Sequence, residues 1–423
     1  MMNRTTIAPG VSLTTVEADK FNTCRVSIYF VRPAKRETAT ADALLPIVME
    51  RGYADCPDMT ELSKRLSRLY GASLRVDTFK VGANRVLSVS VTGIKDKFAL
   101  EGELLTAEYA KIALGTAFTP YLPGGTFDPE CVAIEKQQLR ELLEGEINEK
   151  RTYCIRQAKR KFFEGMPEGI EANGYLDELD SVDEKALTEA FREMIRSSRI
   201  EVFALGAEAD VVRAQVLAAL ADTKRAPAHL APINAPAPCS EKSFTQNIDA
   251  VQGKLCMLFT YGGPVAEEDA AAARVAAALL GGTTTSRLFV NVREKQSLCY
   301  YCAAAFQLVA PHLCIDSGVE PQNAARAKAA ILHELEALRE GPISDQELSE
   351  TKRTLLSALG SVGDSLHSME TWCFHEIMRG TEKEPADLMH EIALVTADDV
   401  HRVLGRLSLS VTYLLTKEAQ ENG

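Results

Sequence analysis

Two stretches of the chain carry the same succession of apolar and polar positions. In the first, Cys24 to Val31 is rich in β-branched and aromatic residues and predicts a strand. Helical periodicity follows at 40–50 and 60–69, two strands at 73–79 and 85–91, and a helix at about 95–113. A long charged helix opens at Asp128, with Pro129 at its first position, and extends to about Phe163. Its alternating charges read as a solvated face. Ser181 and Glu184 have capping-box spacing before a helix that ends near Arg196, and the strand 200–205 closes the stretch.

The second stretch repeats the order. A strand at 255–261 precedes an Ala-rich helix at 268–280 and another at 286–294. Strands at about 298–308 and 312–319 follow, then helices from Gln322 and from a capping box at Ser344 and Glu347, a helix capped by Thr396, and a final strand at 409–415. The closing segments match closely: DSVDEKALTEAFREM with IEVFAL, against LVTADDVHRVLGRL with SVTYLL. Between the halves, APAHLAPINAPAP (226–238) places four prolines where a helix cannot continue. The pattern therefore predicts an α+β protein of two homologous domains, each a mainly antiparallel sheet covered by helices on one face. The expected boundaries are 1–225, a Pro-rich linker over 226–245, and 246–423.

Composition narrows the function classes. Of 423 residues, 59 are acidic and 47 basic, a formal charge of −12. That balance argues against nonspecific nucleic-acid binding and against docking on an anionic membrane. No segment approaches the ~20 apolar residues that span a bilayer, and the first eleven residues lack the apolar core of a signal peptide, so a cytoplasmic, soluble protein is expected. The ten cysteines are expected to be mostly small buried hydrophobes. All seven histidines lie at or beyond His229, leaving 228 residues without one.

The run LLGGTTTSRLFVNVREKQSLCYYCA (279–303) and the segment 41–74, with its early helix, Gly52 and a later Leu-Tyr-Gly-Ala, resemble the pitrilysin or insulinase-type zinc metallopeptidases. The resemblance covers nearly the whole chain and implies a clam-shell of two metallopeptidase-like domains. Active members carry H-x-x-E-H on the early helix: two imidazoles bind Zn²⁺ and the Glu serves as general base. With Gly52 aligned, those positions are Ala43, Leu44, Leu45, Pro46 and Ile47, and the third-ligand position falls near Leu142, beside Glu141. No alignment slip supplies a ligand, because no histidine precedes His229.

The resemblance also implies roles in the second domain. An Arg and a Tyr of the family match Arg293 and Tyr300, catalytic in trans to a partner's zinc site. A guanidinium there holds a substrate carbonyl or carboxylate, and a phenol donates to the oxyanion. Gly281 and Gly282 border the chamber and are candidates for substrate binding through backbone N–H groups. The likeness is greatest to the metal-free member of a bacterial gene pair associated with 5-aminopentanol modification of elongation factor P. It implies a non-metal-binding subunit, inactive alone, paired with a metal-bearing homologue and handling peptide, with no metal and no cofactor of its own. Without that partner the chain is compatible with a homodimer. The competing reading is a non-enzymatic scaffold or peptide-binding protein in a protein-modification pathway.

Other motifs have plainer readings. The 281–286 run lacks the G-K-[ST] ending of a phosphate loop. Cys299 and Cys302, three apart on a strand, are expected on opposite faces and hence as packing residues. His367, Trp372, His375 and Glu376 share one helix, with the histidines about two turns apart, and read as surface or chamber-lining residues.

Overall fold

The computed structural model describes residues 2–221, 223–249 and 252–417. They form two compact units. One comprises Met1–Glu144, Ile170–Pro232 and Asp364–Phe374; the other comprises Gly145–Gly169, Ile233–Gly363 and His375–Gly423. The units do not follow the chain in linear order: each contains one short segment from the other half of the sequence.

The first unit holds strands β1 (Met2–Ala8), β2 (Val11–Val16), β3 (Thr23–Pro33), β4 (Ser73–Val81), β5 (Asn84–Ile94) and β6 (Arg199–Leu205), in the order β1-β2-β6-β3-β5-β4. Only the β2–β6 pair is parallel. The second holds β7 (Lys242–Asn247), β8 (Gly253–Thr260), β9 (Cys299–Gln307), β10 (His312–Val319) and β11 (Ser408–Thr416), in the order β7-β11-β8-β10-β9, with β7–β11 parallel. Matching β2, β6, β3, β5, β4 with β7, β11, β8, β10, β9 reproduces order and direction throughout. The duplication is therefore carried by topology, and β1 is an addition at one edge. The edge strands β1 and β7, and β2 beside β1, are too short or too polar for the sequence pattern to have marked them.

Strand β3 shows why the sheet is buried on both faces. Val26, Ile28 and Phe30 enter the main core with Leu44, Leu45, Tyr109, Ile112 and Leu187 from the covering helices. The alternate residues Arg25, Ser27 and Tyr29 point the other way. There the segment Asp364–Phe374 supplies Glu370, fully buried, which accepts from Arg25 Nε at 2.5 Å, from Ser27 Oγ at 3.0 Å and from the Tyr29 hydroxyl. Phe374 stacks on Tyr29 at 4.5 Å between ring centres, and Phe203 meets Tyr29 edge-on at 5.2 Å.

The second sheet repeats the device. The expected long charged helix is in fact two, Pro129–Gly145 and Lys150–Phe162, separated by a turn in which Glu149 leaves helical geometry (φ −86°, ψ 69°). Gly145 and Asn148, both poor helix formers, stand at the break. The later helix is not a solvated face: Cys154, Ala158 and Phe162 pack on Cys256, Leu258, Val411 and Leu415.

Caps follow the sequence with two changes. The Ser344 box is half formed, Ser344 Oγ accepting from Glu347 N at 3.2 Å while the Glu347 carboxylate turns to Arg287. Asp183, not Ser181, caps the helix Glu184–Ser197, accepting from Lys185 N and Ala186 N. The Thr396 box with Asp399 forms in full. Residues 226–241 hold neither helix nor strand. Within the first unit, Asn84 pins that stretch through paired bonds with the Ala231 backbone at 2.8 and 3.0 Å. No helix among the described residues is long and apolar enough to cross a membrane.

Candidate functional site

The sequence-predicted residues all lie in the segment of the second unit that runs from Gly281 into β9. The Ala-rich helix Ala270–Ala277 widens into a turn ending at Gly282. Gly281 is buried there, and a Cβ on it would lie 2.7 Å from Ala304 N and 2.9 Å from Ala304 Cβ of β9. Its role is close approach of the turn to the strand. Gly282 is exposed. Ser286 Oγ donates back to the Thr283 carbonyl at 2.7 Å, and Arg287 clamps the turn by a two-pronged pair with Glu347 at 2.7 and 3.2 Å.

A second wide helical segment, Leu288–Lys295, carries Arg293 in its last turn, where a cation suits the helix dipole. The Arg293 guanidinium lies over the Phe289 ring at 4.6 Å and 3.4 Å from Glu294, and its side chain keeps 38% of its exposure. Ser297 then adopts a positive φ of 51°, and its N–H donates to the Arg293 carbonyl at 3.1 Å, turning the chain into β9.

Tyr300 is half exposed, and its hydroxyl donates to Glu320 Oε1 at a long 3.3 Å. Its placement depends on a break in the ladder: Tyr301 pairs with Gly318 but Cys299 with Val319, so Tyr300 is an extra, unpaired residue. The same bulge overturns the expectation for the two cysteines. Cys302 faces Ser317 and Cys299 faces Val319, residues two apart on β10, so both thiols point to one face. The neighbouring Cys302 thiol is the largest influence on Cys299 and outweighs burial. The Ser317 hydroxyl and the Arg293 charge act the same way, and the Cys299 thiol is pulled down to about 7.

The metal positions of the resemblance lie in the other unit. Ala43, Leu44, Leu45 and Pro46 are buried in the helix Ala39–Met49, the first three within the main core, and Ile47 packs against it. None has a donor atom, so these residues do not fit zinc. Leu142 and Glu141 are exposed, Glu141 accepting from Gln137 at 3.0 Å. Among the described residues no group of three or more His, Cys, Asp or Glu stands close enough to hold a metal. On the helix Leu366–Arg379, His367 and His375 are exposed, but Glu376 is buried and bound to Arg379 and Thr381 at 2.6–3.1 Å.

Residues 181–355, which include Gly281, Gly282, Arg293 and Tyr300, match the Peptidase M16 inactive domain. Over 410 residues the chain is 25% identical to a Bacillus subtilis (strain 168) protein described as a probable inactive metalloprotease, YmfF, with 96% of each covered. Among solved structures, a conserved protein from Enterococcus faecalis V583 superposes with a TM-score of 0.90 at 23% identity, covering all of both chains. A protease from Helicobacter pylori gives 0.82 at 13% identity, over 98% of this chain and 99% of its own. A peptidase M16 inactive domain from Pseudomonas fluorescens gives 0.79 at 17%, over 99% and 98%. At these identities the structural likeness carries the fold.

Proposed function

We propose, from the premise that this chain is an M16-metallopeptidase-like protein of the inactive type, that it serves as the non-metal-binding subunit of a peptidase pair. Its partner is a homologue that bears the zinc motif. In that pair Arg293 binds a carbonyl or carboxylate of the peptide, and Tyr300 donates its phenolic hydrogen to the oxyanion that forms when the carbonyl is attacked. Gly282 offers a backbone N–H to the substrate. The metal and the activated water belong to the partner, and this chain supplies binding and charge stabilisation only.

One observation carries the reading: Arg293 keeps 38% of its side-chain exposure and Tyr300 50%, at a helix end and a strand bulge, with Tyr300 held only by a long bond to Glu320. The test is co-purification with a zinc-bearing homologue, followed by metal analysis and peptide cleavage by each chain and by both. The reading expects no stoichiometric zinc in this chain, no cleavage by it alone, and cleavage by the pair. Chelator-sensitive cleavage by the isolated chain would overturn it. If the pair forms but Arg293→Ala and Tyr300→Phe leave its activity intact, the protein is a scaffold.

A further inference from the structure

The bulge at Tyr300 does more than expose a phenol. Along a regular strand, residues three apart point to opposite faces. Here Cys299 and Cys302 stand opposite Val319 and Ser317, so they occupy one face with the separation of a two-residue step, about 6.7 Å between Cα atoms. That lies at the upper end of the ~4.4–6.8 Å over which a disulfide closes without backbone movement. Of the two intervening residues, Tyr301 pairs with Gly318 and Tyr300 has no partner in the β10 ladder.

We propose that Cys299 and Cys302 form a reversible dithiol–disulfide pair, oxidised by small hydroperoxides and returned by a dithiol reductant. The other cysteines do not match this arrangement. Cys256 and Cys314 approach to 3.8 Å between sulfurs, but both are sealed beneath the helix Lys150–Phe162. Cys239 is exposed, with no thiol bonded to it. Cys299 and Cys302 are also buried, but Cys299 keeps 9% of its exposure and adjoins half-exposed Tyr300, which gives a small oxidant a short approach.

Cys299 is the attacking sulfur. It stands nearer the exposed Tyr300 side of the bulge, and the neighbouring Cys302 thiol and the Arg293 charge both favour its thiolate. The thiolate attacks one peroxide oxygen: an S–O bond forms, the O–O bond breaks, and the departing alkoxide or hydroxide takes a proton. The Cys302 sulfur then attacks the sulfenic sulfur, the S–S bond forms, and the oxygen leaves as water with the Cys302 proton. Two thiols and one hydroperoxide give one disulfide, one alcohol (or water) and one water. The inference does not depend on a peptidase partner, because its readout is the sulfur chemistry of this chain alone.

The test treats the reduced full-length protein with stoichiometric hydrogen peroxide, blocks free thiols by alkylation and maps each cysteine by fragmentation mass spectrometry. The expected result is loss of two hydrogens and of both alkylation sites at Cys299 and Cys302, restored by dithiothreitol, with Cys239 alkylated throughout. In Cys302→Ser, Cys299 should instead be captured as sulfenic acid by dimedone. Circular dichroism checks that this variant folds, and the wild-type mapping stands whether or not it does. Alkylation of both residues after peroxide, or linkage of either to a different cysteine, would overturn the proposal.

Discussion

Replacing Glu370 by alanine removes the only charged group that the segment Asp364–Phe374 buries against the first sheet, and the size of the loss can be worked from its partners. The carboxylate is fully buried and holds the Arg25 guanidinium at 2.5 Å, the Ser27 hydroxyl at 3.0 Å and the Tyr29 hydroxyl. A hydrogen bond to a charged group contributes about 1.5–3 kcal/mol, and each buried hydroxyl left without an acceptor costs about 1–3 kcal/mol. Breaking a buried ion pair by removing one partner costs about 3–5 kcal/mol in all. The Arg25 side chain keeps 14% of its exposure, so water recovers part of its solvation and the lower end, about 3 kcal/mol, is expected. Because two compact units need not unfold in one transition, urea unfolding should be followed by hydrogen exchange resolved to β3 and β6. Glu370→Ala should release protection in those strands well before the second sheet. Glu370→Gln, which keeps an acceptor and the shape, should lose less. A change under about 1 kcal/mol with β3 exchange unaltered would refute the reasoning.

Three further outcomes follow from the same structure. Burial and then the charge of Lys159 hold His312 neutral down to about 3, against an ordinary 6.5, despite the opposing bond between its Nδ1 and the Ala310 carbonyl. Because the folded value is depressed, its contribution is fully present above pH ~6.5 and is lost as pH falls toward ~3, on the order of 5 kcal/mol in total. His312→Leu should flatten the second sheet's acid-unfolding profile across that window, and an unchanged profile would contradict the assignment. Gly281→Ala would drive a methyl into the Ala304 backbone and should destabilise the second unit by about 1–3 kcal/mol in thermal unfolding; no shift would mean that the turn can move away from β9. Arg293→Ala and Tyr300→Phe should each stay within about 0.5 kcal/mol of the parent in the same assay, as expected for exposed groups, and a larger loss would make them structural.

The repeated unit was legible because strands such as β3 and β8 and their covering helices carry strong apolar periods, and because caps at Asp128, Ser344 and Thr396 mark their helix starts locally. The segment exchange was not. The helices 150–162 and 366–379 look polar by composition, and their burial rests on a few residues, Cys154, Phe162, Glu370 and Phe374, whose partners lie far along the chain. The apolar character of 43–47 could be read directly, since a side chain without a lone pair cannot ligate wherever it sits. The thiol pair could not: a C-x-x-C on a strand reads as two opposed faces, and only the pairing of Val319 with Cys299 reveals the extra residue between them. Bulges leave little local signal in sequence, although the glycine at 318, across which the Tyr301 ring lies, was a hint.

The central claim is that this chain gives Arg293 and Tyr300 to a reaction whose metal sits on another subunit. The most direct measurement is reconstitution of the parent chain, Arg293→Ala and Tyr300→Phe, each with the same zinc-bearing homologue, with binding and peptide cleavage measured separately. The account predicts unchanged complex formation and a fall in cleavage rate of about a hundredfold for Tyr300→Phe, the scale seen when one oxyanion donor is removed. Full activity of both variants in an intact complex would contradict it.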